Sequence, residues 1–155
     1  DLWGQIGIDF TCESIPIPKQ VEFSGNGNLK VASVACGAAH NLALLENGTV
    51  WSWGMGANGR LGHGNEFSLS SPKRISAFAP HEITTISCGW SHSICVHNNS
   101  SIYTFGDGSV GQLGHGEFSD EFEPRKINFN FGVLLSCSAF NHTIVATTKG
   151  VFVWG

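Results

Sequence analysis

The stretch Ile86-Ser87-Cys88-Gly89-Trp90-Ser91-His92 decides the fold, because the chain writes it three times. The other copies are Val34-Ala35-Cys36-Gly37-Ala38-Ala39-His40 and Ser136-Cys137-Ser138-Ala139-Phe140-Asn141-His142. The histidines stand 52 and then 50 positions apart. Each is followed by an apolar run: Leu42-Ala43-Leu44-Leu45, Ile94-Cys95-Val96 or Ile144-Val145-Ala146. Then come a turn and an aromatic pair closed by glycine: Trp51-Ser52-Trp53-Gly54, Tyr103-Thr104-Phe105-Gly106 and Phe152-Val153-Trp154-Gly155. Five positions later stand Gly59-Arg60-Leu61-Gly62-His63-Gly64 and Gly111-Gln112-Leu113-Gly114-His115-Gly116, of which Gly4-Gln5-Ile6-Gly7 is a further copy. A loop ending in proline completes the unit: Pro18-Lys19-Gln20-Val21, Pro72-Lys73-Arg74-Ile75 and Pro124-Arg125-Lys126-Ile127. A fixed period of about 51 residues marks a repeat architecture whose units bury their apolar faces on one another.

Within a unit the pattern is strand, turn, strand, turn, strand. Asn47-Gly48 between two apolar runs predicts a two-residue hairpin turn with positive φ at both positions. Trp51 and Trp53 lie two apart and so share one face of a strand, as do Tyr103 with Phe105 and Phe152 with Trp154. No segment carries a capped helical stripe. Short strands broken by glycine at this period predict an all-β chain of antiparallel sheets. One small sheet cannot bury both faces, whereas like sheets stacked around an axis can. The expectation is about three four-stranded blades of a β-propeller. All of residues 1–155 belong to it, with repeat phases of about 1–54, 55–106 and 107–155. Recurring glycines then mark tight turns or close approach of neighbouring sheets.

Composition narrows the function. Among 155 residues, 41% are hydrophobic and 13% charged, which excludes a disordered chain. Eight basic against 12 acidic side chains leave a net charge of −4, opposite to the surplus a nucleic-acid binder carries. No run reaches the ~18 apolar residues of a membrane span. The five cysteines, Cys12, Cys36, Cys88, Cys95 and Cys137, form no even short-spaced framework. They read as small buried hydrophobes in a reducing compartment, which points to an intracellular protein, cytoplasmic or nuclear, with ciliary and cytoskeletal sites left open. The sequons at Asn47, Asn98 and Asn141 read as chance matches. The chain opens on Asp1-Leu2-Trp3-Gly4 and stops on Val153-Trp154-Gly155, which reads as a portion cut from something longer. Gly155 holds the place of Gly54 and Asp1 that of Gly56, so the portion is nearly three whole periods.

Three constellations imitate chemistry. Gly54-Met55-Gly56-Ala57-Asn58-Gly59 and Gly106-Asp107-Gly108-Ser109-Val110-Gly111 match G-x-G-x-x-G. A dinucleotide site needs a helix after that motif, and Leu61-Gly62-His63-Gly64 starts one poorly. His40, His92 and His142 each follow Cys or Ser by four positions, but zinc needs four ligands at one point and these lie in separate units. They read as hydrogen-bonded structural histidines, as do His63 and His115. No serine stands in a nucleophile elbow and no carboxylate pair recurs. No catalytic residue, cofactor or metal is expected.

The ordered string Cys-Gly-x-x-His, apolar run, aromatic-x-Trp-Gly, Gly-Gln-Leu-Gly-His-Gly and proline resembles the repeat of the regulator-of-chromosome-condensation (RCC1) family over nearly the whole chain. It departs at Ser138-Ala139, which replace Cys-Gly, and at Phe105, which replaces Trp, both implying local repacking. The resemblance implies a closed ring of about seven four-stranded blades. The remaining blades are then supplied by the rest of the chain, since three alone would leave two exposed edges. It also implies that Gly37, His40, Trp53, Gly54, Gly59, Gly62, Gly89, His92, Phe105, Gly106, Gly111, Gly114, His142, Trp154 and Gly155 hold the blades together.

Many members of the family are interaction modules of larger signalling, ubiquitin-ligase, ciliary or trafficking proteins. The function expected is therefore a non-catalytic protein–protein interaction scaffold. The alternative is guanine-nucleotide exchange on a Ran-like small GTPase, the founder's activity, but the founder's wedge-like hairpin maps onto no segment here. Trp90 matches the tryptophan position of the family's plant ultraviolet photoreceptors, yet Ala38 and Phe140 stand in its two counterparts, so no tryptophan cluster forms. The loops that differ between copies are the places for recognition. They are Ile8–Ser14, Asn65–Ser71 and the acidic, aromatic Glu117-Phe118-Ser119-Asp120-Glu121-Phe122-Glu123. In the last, Glu117, Phe118, Asp120, Glu121, Phe122 and Glu123 are candidates for anchoring a basic protein partner.

Overall fold

Every strand of the computed structural model lies beside its sequence neighbour, as the hairpin pattern requires. The structure describes residues 2–9, 14–25, 30–78, 83–98, 100–128 and 131–155. The first sheet has the order β1 (Val31–Cys36), β2 (His40–Leu45), β3 (Val50–Gly54), β4 (Leu69–Arg74). The second repeats it with β5 (Ile83–Cys88), β6 (His92–His97), β7 (Ser101–Gly106), β8 (Glu121–Lys126). The third holds β9 (Val133–Ala139), β10 (His142–Thr147) and β11 (Gly150–Trp154) among the described residues. All pairs are antiparallel, and equivalent strands share their register: His40 faces Gly54 across β2 and β3, as His92 faces Gly106 across β6 and β7. The sheets span residues 31–74 and 83–126, so the expected phase 55–106 runs from the outermost strand of one sheet into the inner strands of the next.

The hairpin at Asn47-Gly48 differs from the expectation. Gly48 N–H donates to Leu45 O at 2.9 Å and only Gly48, at φ +76°, is left-handed. The loop is therefore a four-residue turn centred on Glu46-Asn47, closed by a glycine bulge. Asn47 Oδ1 accepts from both the backbone N–H and the hydroxyl of Thr49, which fixes the bend without a positive φ at Asn47.

Burial happens between sheets. One cluster joins Leu42, Leu44, Val50 and Ile75 of the first sheet and its exit to Phe78, Ile83, Ile86, Cys88, Cys95 and Phe105. Another joins Ile94, Val96, Ile102 and Ile127 to Val133 and Val145. Each fully buried aliphatic side chain contributes roughly 1.5–3 kcal/mol, so the stacking, not any single sheet, carries the stability. The equivalents Val50 and Ile102 are both 0% exposed, whereas Val151, in the same register on the third sheet, is 71% exposed. Ile144 and Val153 lie exposed on that sheet as well. The described residues therefore leave one apolar flank of the third sheet uncovered.

The cysteines follow the same geometry, and it corrects the expectation that all are buried. Cys88 and Cys95 are buried between sheets, and burial pushes both thiols well above the usual range. Cys36 and Cys137 are exposed. Cys36 holds the place from which Cys88 faces the preceding sheet, and Cys137 the place from which Ser87 reaches Ser138 in the following one. Each thus points to a flank with no described neighbour. Cys12, with the Phe10–Glu13 part of the first variable loop, lies outside the described residues.

Candidate functional site

The repeated histidines join one sheet to the next. His40 Nε2 lies 3.0 Å from Ser93 Oγ, and that hydroxyl donates to Arg60 O at 2.8 Å. His92 Nε2 lies 3.1 Å from Thr143 Oγ1, which donates to Gln112 O at 2.9 Å. A hydroxyl that donates onward accepts from the ring, so Nε2 carries the proton in both imidazoles. The residue after each histidine is thus a connector: Asn41, one unit earlier, donates to Gln5 O at 2.8 Å. Burial lowers the His40 pKa to about 3, assisted by Arg60, and burial lowers that of His92 to about 4. Both rings are neutral at physiological pH.

Glycine makes the seat for each ring. A Cβ at Gly37 would stand 2.2 Å from His40 Cε1, and one at Gly89 2.1 Å from His92 Cε1. In the third copy Ala139 carries that Cβ. His142 is exposed on the flank that has no following sheet among the described residues.

The aromatic pairs meet the Gly-x-Leu-Gly loop of the preceding unit. Trp53 Nε1 donates to Gln5 O at 3.1 Å and Trp154 Nε1 to Gln112 O at 3.0 Å. Phe105 has no N–H to offer Arg60 O, so Ser93 alone reaches that carbonyl. Gly7, Gly62 and Gly114 lie flat on Trp53, Phe105 and Trp154, within 3 Å of where a Cβ would be. Gly59 lies as closely on the backbone of Phe122, while Gly111 meets only the ring of Phe118. Gly54, Gly106 and Gly155 sit on the carbonyls of Ala39, Ser91 and Asn141 at positive φ.

Sequence reasoning missed two sets of residues. Ser52 and Thr104, in the middle of the aromatic pairs, donate to Leu61 O and Leu113 O and accept from His63 and His115 Nε2 at 2.9 Å. Burial lowers the pKa of both histidines, that of His63 to about 4. Phe23, Phe78 and Phe131 pack against Trp51, Tyr103 and Phe152, with ring centroids 5.6, 5.5 and 5.4 Å apart. A Phe a few residues before β1, β5 and β9 was the signal for the second set.

Most backbone donors of the G-x-G-x-x-G loops are taken up within the fold instead of pointing at a phosphate. Gly56 N–H goes to Ser68 Oγ and Asn58 N–H to Glu66 Oε1. In the second loop Gly108 N–H goes to Asp120, Ser109 N–H to Asp107 and Val110 N–H to Gln112 Oε1. The first loop closes in a three-residue 3-10 turn, Ala57–Gly59, not in a helix that could hold an anion. Among the described residues no three His, Cys, Asp or Glu side chains converge as a metal site. Arg60, where the other copies have glutamine, is buried and donates to Ala57 O and Asn58 Oδ1. Burial lowers its pKa, and Asp107 and Asp120 work against that.

The acidic candidate segment is part loop and part strand, since Glu121, Phe122 and Glu123 open β8. Three of its carboxylates are engaged within the fold. Asp120 accepts from Gly108 N–H at 3.0 Å and from Asn58 Nδ2 at 2.9 Å, bridging two units. Glu117 and Glu121 both pair with Arg125. Glu123 lies exposed beside Gly64. Phe118 is 77% exposed and lies against Gly111 of the loop after β7, whereas Phe122, also exposed, lies against Gly59 of the loop after β3. The segment's exposed groups are therefore the Phe118 ring against the loop after β7, and Phe122 with Glu123 against the loop after β3, while its other carboxylates are engaged within the fold.

Comparison with known proteins accounts for this geometry. The family model described as "Regulator of chromosome condensation (RCC1) repeat" matches residues 3–44, 47–96 and 99–145. A second RCC1 repeat model matches 31–60 and 83–112. The human E3 ubiquitin-protein ligase HERC2 is 32% identical over 157 residues, covering 98% of this chain and 3% of the ligase. The ultraviolet-B receptor UVR8 of Arabidopsis thaliana is 32% identical over 98% of this chain and 34% of the receptor. The chain thus spans at most about a third of these relatives. The crystal structure of human WBSCR16 superposes with a TM-score of 0.82 at 26% identity, over 99% of this chain and 40% of that one. Prp20p of Saccharomyces cerevisiae gives 0.83 at 20% identity over 94% of this chain and 37% of its own, a likeness of fold alone. The matched stretches contain the histidines, connectors and glycines that seat one sheet on the next, and by them the chain belongs to the regulator of chromosome condensation (RCC1) repeat family.

Proposed function

We propose that this chain is one portion of a non-catalytic protein–protein interaction scaffold, a propeller whose rim loops bind other proteins. The observation that carries the reading is the segment Glu117–Glu123. Phe118, Phe122 and Glu123 all stand exposed within these seven residues, while Asp120 and Arg125 tie the segment to the fold. Exposed apolar rings and an anion on a segment held in place by its own hydrogen bonds and ion pairs fit a basic partner at little ordering cost. Further sheets of the same repeat cover the flank that carries Val151 and Val153, and they come from the rest of the protein. Among the described residues no helix is long and apolar enough to cross a membrane.

The test is quantitative co-purification from cells, comparing wild type with Phe118→Ser combined with Glu121→Lys and Glu123→Lys. The scaffold reading expects a defined set of partners to fall at least tenfold. Unchanged recovery of every partner would remove the segment as a binding site. Release of labelled nucleotide from a panel of small GTPases, Ran-like ones included, separates the exchange-factor alternative. The scaffold reading expects no acceleration.

A further inference from the structure

The chain holds Asn-Gly dipeptides at Asn26-Gly27, Asn47-Gly48 and Asn58-Gly59. In such a pair the backbone nitrogen that follows asparagine can attack the asparagine side-chain carbonyl. Glycine has no Cβ to shield that nitrogen. The first pair lies outside the described residues, and the other two sit in contrasting surroundings. Asn58 is held at both ends of its amide: Oδ1 accepts from Arg60 at 2.9 Å, and Nδ2 donates to Asp120 of the next unit at 2.9 Å. Gly59 is pressed against the backbone of Phe122. Asn47 instead stands exposed in the turn between β2 and β3. The bonds of its amide among the described residues both go to Thr49: Oδ1 accepts from Thr49 N–H at 3.2 Å and from Thr49 Oγ1–H at 2.7 Å. A side-chain oxygen bonded two residues on lays its amide along the intervening peptide, here that of Gly48.

Addition to Cγ drives negative charge onto Oδ1, the atom on which both Thr49 donors already converge, as in an oxyanion hole. Opposing the attack is the single bond from Gly48 N–H to Leu45 O at 2.9 Å, which closes the turn. We infer that Asn47 is a self-modifying site, which deamidates in the folded protein with Thr49 assisting. Gly48 N loses its proton and bonds to Cγ. The Cγ–Nδ2 bond breaks, Nδ2 leaves as ammonia, and a succinimide ring closes. Water then opens the ring. Cleavage at Cγ gives aspartate, and cleavage at the main-chain carbonyl gives isoaspartate. No oxidant, reductant or enzyme takes part. Either product puts a new carboxylate in the turn. Isoaspartate also adds one carbon to the main chain just ahead of Gly48, whose carbonyl accepts from Ile83 N–H at 3.3 Å where β5 begins. The modification therefore acts on the joint between the first two sheets.

The experiment incubates purified protein carrying this chain at neutral pH, folded and in urea. Peptide mass mapping with fragmentation then follows each asparagine over time. In the folded protein Asn47 should react at least tenfold faster than Asn58. In urea, where both pairs lose their surroundings, the two rates should come within about threefold of each other. Thr49→Val keeps the N–H donor and removes the hydroxyl, so it should slow Asn47 at least threefold in the folded protein and leave the rate in urea unchanged. Thr49→Ser should restore the folded rate. Asn58 reports on the fold of each variant, because only the fold protects it. A variant in which Asn58 becomes reactive has unfolded, and the wild-type contrast between the two asparagines then decides. An unmodified Asn47 in the folded protein, or an Asn58 that reacts as fast, would overturn the site. Thr49→Val reacting at the wild-type rate or faster while Asn58 stays protected would overturn the assistance, since the Thr49 bonds would then hold the turn shut.

Discussion

Replacing Ser93 by alanine tests the bridge between sheets most directly. Ser93 and His40 are buried, and the Ser93 hydroxyl accepts from the His40 ring while donating to the Arg60 carbonyl. Ser93→Ala leaves the Nε2–H of His40 and the carbonyl of Arg60 without partners, while Nδ1 of His40 already has none. Each buried polar group stranded in this way costs about 1–3 kcal/mol, so the variant should lose about 2–6 kcal/mol. Ser93→Thr keeps the hydroxyl in the form that Thr143 uses one unit later, and its loss should stay below about 1.5 kcal/mol, the cost of one added methyl. Urea unfolding of purified protein carrying this chain measures both, with unchanged m-values as the check on two-state behaviour. A cycle with His40→Ala should show that the two losses do not add. A Ser93→Ala variant within about 0.5 kcal/mol of wild type, a change typical of inert surface positions, would refute the relay.

The other predictions concern the same joints. The imidazoles of His40 and His92 have folded pKa values of about 3 and about 4 against 6.5 unfolded. The unfolded chain therefore takes up these protons first. The stability the two rings contribute is complete above pH 6.5 and falls as pH drops toward 4 and 3, by about 1.4 kcal/mol per pH unit for each ring. NMR titration should find neither ring protonating above pH 5, and a midpoint near 6.5 for either would contradict the burial argument. Gly89→Ala should cost about 2–4 kcal/mol, because its Cβ at 2.1 Å drives His92 from its hydroxyl partner. Ala139→Gly should cost less than about 1 kcal/mol, since Ala139 and His142 are both exposed; equal effects in urea would argue against it. Glu66→Ala should cost about 0.5–1.5 kcal/mol by freeing the N–H of Asn58. Arg60→Gln should rescue it, because Gln112 and Gln5 accept the equivalent N–H groups of Val110 and Trp3; a double variant no better than Glu66→Ala would show that this exchange does not operate.

Much of this molecule was legible in its letters. Three copies of one string, two-residue spacing in Trp51-Ser52-Trp53 and the absence of a helical stripe determined repeated antiparallel sheets that lean on one another. Periodicity is a local property, and strand pairing between sequence neighbours follows from it. The turn at Asn47-Gly48 was not legible in detail, because Thr49 offers Asn47 a side-chain partner that dipeptide statistics do not weigh. Nor was the fate of the charges: seven consecutive residues read as an acidic loop, yet Asp120 is spent on Gly108 and Asn58 of another unit and Arg125 takes Glu117 and Glu121. Which cysteine is covered, which histidine finds a hydroxyl and which tryptophan stays in water depend on residues some fifty positions away. Sequence by itself determined the units, since their pattern lies within each repeat; only their stacking decided the joints and the free surface, since both are made by atoms of adjacent sheets that no single repeat contains.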